Sequence, residues 1–100
     1  IIATVLSFDK VNDPAICAMV GASAATTIGD IPFDGPIGSC RVALIGGEYV
    51  INPPLDVIEN AQVNLIVAAT ENAVTMVEGE GKEASEAEMI EAGSCRERNR

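Results

Sequence analysis

A chain of 100 residues with fifteen acidic side chains, six basic ones and no histidine has few routes to chemistry of its own. Nucleophilic catalysis by Ser or Cys needs a neighbouring base, and the commonest such base is missing. Lys10 and Lys82 stand in polar turns and read as solvated side chains. Asp30 and Asp34 could be offered as an acid pair, but their four-residue spacing runs across Pro32 and no basic residue adjoins them. Turn formation is the simpler reading of both. Cys17, Cys40 and Cys95 are odd in number and widely spaced, with no CxxC pattern. Without a Cys/His set a structural zinc site has no ligands, and Cys17 and Cys40 read as small apolar residues of a reduced, cytoplasmic protein. Gly21-Ala-Ser-Ala24 is no phosphate cradle, because it falls inside a helical stretch and no Lys follows it.

Charge narrows the choice further. The formal net charge is −9, and three of the six basic residues, Arg96, Arg98 and Arg100, lie in the last five positions. Residues 1–95 therefore carry fourteen acids against three bases, a balance of −11. That sign opposes unaided binding of a phosphate backbone. Apolar residues make up 48% of the chain with only three aromatics, so one modest core of Val, Ile, Leu, Met and Ala is expected. No apolar run reaches the ~20 residues of a membrane span.

These residues must be held by a small set of elements. Ile1–Phe8 is β-branched and apolar on both parities, which predicts a strand covered on both faces. It opens without Met, as an excised or processed chain would. Asn12-Asp-Pro14 is a helix start, with a capping side chain and then Pro at the first helical position, and the helix should end at Gly29. Its many Ala, Gly and Ser residues favour close packing on a sheet. Asp30–Val42 is a connector punctuated by Pro32, Gly35, Pro36 and Gly38, with Ile31, Phe33 and Ile37 expected against the core and Asp30 and Asp34 outward.

Gly46-Gly47 between Arg41–Ile45 and Glu48–Asn52 predicts a hairpin, and Asn52-Pro-Pro54 stops its second strand. Leu55–Glu59 fits a short helix. Gln62–Thr70 and Ala73–Glu78 form a second hairpin about Glu71-Asn72, its end weakened by Gly79 and Gly81. Ser85-Glu-Ala-Glu88 is a capping box opening a last helix that Gly93 would close. The fold class expected is α/β (α+β), a mixed sheet with helices packed on one face. Residues 1–93 form the domain, and 94–100 are a polar tail.

Met19–Ala25, Asp30–Gly38, Arg41-Val42, Gly47–Pro53 and Asn64–Thr70, taken in order, closely resemble the polynucleotide phosphorylase family, and more narrowly the latter half of its first RNase PH-like domain. The resemblance runs from Ile1 to about Ala92. It implies an RNase PH-like βαβ half-domain. It also implies a part in phosphate-dependent 3′-to-5′ exoribonuclease activity: phosphate attacks the terminal phosphodiester of RNA and releases a nucleoside diphosphate with the help of Mg²⁺. Its partners would be the missing half-domain, the second RNase PH-like domain, further copies in a trimer, and RNA in the assembled enzyme. Its setting would be cytoplasmic or organellar.

The departures bear on chemistry. In the family's active repeat, acidic residues stand where this chain has Asn64 and Asn72, and Glu78 lies near a third acidic position. An amide brings no negative charge to Mg²⁺, so Asn64, Asn72 and Glu78 are degenerate candidates only. The basic RNA-binding segments of the family lie outside this chain. The resemblance also places Ala69 where glycine is usual, and Gly79 and Gly81 where better strand formers are usual. The expectation is a structural, RNA-contact or assembly role with no activity alone. The alternative is a non-catalytic, self-associating α/β module.

Overall fold

Local signals fix most of the elements in the computed structural model, which describes residues 1–94. Helix α1 spans Pro14–Ile28, with Asp13 accepting a hydrogen bond from the Ala15 N–H at 2.9 Å and Pro14 in the first turn. Gly29 ends it. Strands β1 (Gly38–Ile45) and β2 (Glu48–Ile51) are joined by Gly46 and Gly47 at φ +57° and +83°, the paired positive angles that a two-residue hairpin turn demands. The short helix α2 (Leu55–Ile58) leads into β3 (Val63–Ala69), and β4 (Val74–Gly81) returns beside it. Helix α3 covers Glu86–Ser94. Its capping box forms as expected, with the Ser85 N–H donating to Glu88 Oε2 at 2.8 Å and the Glu88 N–H donating to Ser85 Oγ at 3.3 Å.

The sheet has the order β2-β1-β3-β4, and all three pairings are antiparallel. An α+β fold is therefore present, but the mixed sheet expected from sequence is not. The difference lies in residues 1–8, which form no strand among the described residues. Ile1, Ile2 and Leu6 are 86%, 94% and 94% exposed, and the segment runs beside α1 instead of joining a sheet edge. Strand propensity records how well a side chain fits a covered, pleated surface, and nothing here supplies the ladder.

Alternation along β1 and β3 sorts the two faces. Val42, Leu44, Val63, Leu65 and Val67 point to one face, where Ala92 and Met89 of α3 close the core and Tyr49 Oη donates to the Glu88 carbonyl at 3.0 Å. Ser39, Arg41, Asn64 and Ala68 occupy the other face, which α1 overlies. The helices thus lie on opposite faces, not one. A two-sided sheet follows from the strands themselves, because both parities of β3 are largely apolar.

Three smaller expectations change. Ile31 is 61% exposed and stands away from the core, while Phe33 and Ile37 are half-buried as expected. Strand β4 runs on through Gly79 to Gly81, and α3 passes through Gly93 to Ser94. Cys40 packs against the core, whereas Cys17 is exposed. Cys95 and the arginines of the polar tail lie outside the described residues. Among the described residues, no helix is long and apolar enough to cross a membrane.

Candidate functional site

The densest polar arrangement is centred on Arg41. It sits on β1, on the face turned to α1, and its side chain is 14% exposed. Nη2 donates to Asp13 Oδ2, and Nη1 donates to Asn64 Oδ1 at 2.7 Å. The Arg41 backbone is tied as well: its N–H donates to Asn52 Oδ1 and its carbonyl accepts from the Asn52 N–H, both at 2.8 Å. Asn52 takes φ +50° just past β2, a conformation that asparagine tolerates better than most residues, and this turns its amide back onto β1. One arginine therefore joins the start of α1, the end of the first hairpin and β3.

The surroundings of Asp13 favour its charged form. Burial pushes its pKa up, but the Ala15 N–H and the Arg41 guanidinium outweigh it and hold the carboxyl below its ordinary value. Beside the pair lies a small cleft of about 150 Å³, lined by Asn12, Asp13, Ile16, Cys17, Arg41, Asn52 and Pro53. The charges cancel within it, so the cleft offers no net field to an anion. Arg41 Nε and Ser39 Oγ are buried with no hydrogen-bond partner. No histidine is available as a base for Ser39.

The three candidate metal positions are not brought together. Asn64 opens β3, with its amide oxygen committed to the Arg41 guanidinium, a cation where Mg²⁺ would have to stand. Asn72 lies past the other end of that strand, more than about 17 Å away at the rise of an extended chain. There it lines an open pocket of about 410 Å³ with Asp34, Pro36 and Glu71. Glu78 is exposed on β4 and pairs across to Ile66. Among the described residues no three Asp, Glu, Cys or His side chains are placed to hold a metal ion. The residues present do not fit the divalent metal that the family resemblance implies.

Sequence reasoning named Arg41 as part of a strand and of the family resemblance, but not as the centre of this joint. The available signal was that Arg41 is the one arginine before residue 96, set in an otherwise apolar strand. Such a residue needs a partner, and Asp13 had already been singled out as a helix cap. Asp30 and Asp34 are both exposed on the connector, and Lys10 and Lys82 are exposed in turns.

The chain is 56% identical to a polyribonucleotide nucleotidyltransferase of Nitrobacter winogradskyi, 50% to that of Geotalea uraniireducens and 52% to that of Maricaulis maris, each over 92 residues. Each match covers 92% of this chain and 13% of the relative, so the chain spans about an eighth of the curated proteins it resembles. The model of the 3′ exoribonuclease family, domain 2, matches residues 35–98, and on that match the chain belongs to the 3′ exoribonuclease family.

Proposed function

We propose that this chain is a framing portion of a phosphate-dependent 3′-to-5′ exoribonuclease, serving structure, RNA contact or assembly, and that it performs no phosphorolysis alone. The observation that carries this reading is the commitment of Arg41 to both Asn64 and Asp13. The two groups best suited to handle a phosphate or a metal are used to fix α1 to the sheet. Phosphoryl-type chemistry relies on positioned cations and metal ions to stabilise developing charge, and here the one described arginine is already neutralised. The RNA, Mg²⁺ and trimeric assembly that the family resemblance implies would be met through parts of the longer protein.

A second reading, a non-catalytic module that associates with itself, is favoured by the apolar side chains left uncovered along residues 1–8 and α1. Titration with Mg²⁺, followed by NMR at the side-chain amides of Asn64 and Asn72, tests the framing reading. The expected result is no saturable shift at either amide. Saturable, coupled shifts at both would show a working metal site and overturn it.

A further inference from the structure

We propose that Asp34-Gly35, on the connector between α1 and β1, is a site of spontaneous modification at which the Asp34 side chain takes over the backbone link to Gly35 and leaves an isoaspartyl residue. The chemistry needs a free amide beside a free carboxyl. The Gly35 nitrogen attacks Asp34 Cγ: a Cγ–N bond forms, one carboxyl oxygen leaves as water with the acid proton and the amide hydrogen, and a five-membered succinimide closes. Water then adds to one of the two ring carbonyls and breaks its bond to nitrogen. Opening at the original backbone carbonyl gives isoaspartate, and opening at Cγ restores aspartate. No oxidant, reductant or cofactor takes part, and the product has the mass of the starting chain.

Sequence and fold together single out this pair. Asp34 is the one aspartate or asparagine in the chain that precedes glycine, the residue that crowds an attacking nitrogen least. Asp34 is exposed, and neither its carboxyl nor the Gly35 N–H has a hydrogen bond among the described residues. Gly35 sits at φ +94°, and a Cβ built there would meet nothing within 4 Å, so the ring has room to close. The other aspartates are withheld. Asp9 accepts from the Val11 and Asn12 N–H groups and from Asn12 Nδ2. Asp13 precedes Pro14, which has no N–H, and Asp30 precedes Ile31, whose branched side chain crowds its own nitrogen. The Val57 N–H that follows Asp56 donates to the Pro54 carbonyl at 3.1 Å.

The same connector gives the change a structural effect. Phe33 and Ile37 are half-buried on either side of the pair, and the Ile37 N–H donates to Ser23 Oγ on α1 at 2.8 Å. An isoaspartyl link adds one methylene to the backbone between those two anchors and leaves the free carboxylate on Cα. A connector one bond longer must slip at one of them.

Ageing the purified chain in warm, neutral buffer tests the proposal, read by peptide mass spectrometry and by digestion with Asp-N protease, which does not cut before isoaspartate. The peptide holding Asp34 is expected to split into two species of equal mass, with a minor form one water lighter, while the peptides holding Asp9, Asp30 and Asp56 stay single. Because the fold leaves the pair free, the rate should lie within about threefold of that in an unstructured peptide spanning Ile31 to Ile37. Suppression by about tenfold or more in the folded chain would overturn the proposal. Asp34→Glu keeps the charge but would have to close a larger ring, and is expected to give a single species. Splitting that persists in Asp34→Glu would equally overturn it. Loss of hydrogen-exchange protection at the Ile37 amide should track the modified fraction, and unchanged protection there would contradict the slipped connector.

Discussion

At the scale of single residues, Arg41 holds together parts of the chain that are distant in sequence, reaching Asp13, 28 positions before it, and Asn64, 23 positions after it. Replacing it by Met leaves Asp13 half-paired and Asn64 Oδ1 unsatisfied at a mostly buried place. We expect Arg41→Met to lower unfolding stability by about 2–3 kcal/mol, read from the urea midpoint. The joint also makes stability depend on pH. The carboxyls of Asp13 and Asp9 are both held below their ordinary values in the folded chain; for Asp9 the cause is hydrogen bonds from Asn12 and Val11. A depressed folded pKa means that the unfolded chain takes up protons first as pH falls. The contribution is therefore full above about pH 4 and is lost as pH drops through the folded value. Asp13→Asn, which can still cap the helix, should show a shallower loss of stability between about pH 4 and pH 2 than the parent chain. An unchanged slope in acid denaturation would contradict that role. None of this joint was visible as a unit in sequence, because its members come from a helix cap and two strands whose register only the folded sheet defines.

At the scale of elements, what was legible was what is decided locally. The Asp13-Pro14 start of α1, the Gly46-Gly47 turn and the Ser85/Glu88 box each depend on a few adjacent residues, and each forms as read. What depends on a neighbour across the sheet was misread. Gly79 looked like a weak strand end, yet a Cβ there would lie 2.1 Å from the Asn64 carbonyl oxygen and 2.8 Å from Leu65 Cα. The glycine lets β4 approach β3, so β4 runs through it. Gly79→Ala must shift backbone and should cost about 2–3 kcal/mol, with β4 amides losing exchange protection first. By contrast, a Cβ on Gly93 meets nothing within 4 Å, and Gly93→Ala should stabilise α3 by up to about 1 kcal/mol. Equal effects of the two substitutions in thermal unfolding would refute this account of β4. Residues 1–8 were misread for a related reason: their composition states what surface they suit, not whether such a surface is present.

At the scale of the whole molecule, a four-stranded antiparallel sheet carries α3 and the main core on one face and α1 with the Arg41 joint on the other. The family was legible from ordered motifs, and the matches to longer polyribonucleotide nucleotidyltransferases agree with it. The candidate metal positions were legible only as places in a sequence. Once folded, Asn64 lies at the start of β3 and Asn72 past its far end, while Glu78 is exposed on the neighbouring β4 opposite Ile66. On the proposed reading, a chain built this way frames a phosphorolytic enzyme without carrying its reaction. The most direct test is to incubate the purified chain with poly(A), inorganic phosphate and Mg²⁺ and to measure ADP release. The account predicts no release above the protein-free control, and sustained turnover by the chain alone would contradict it.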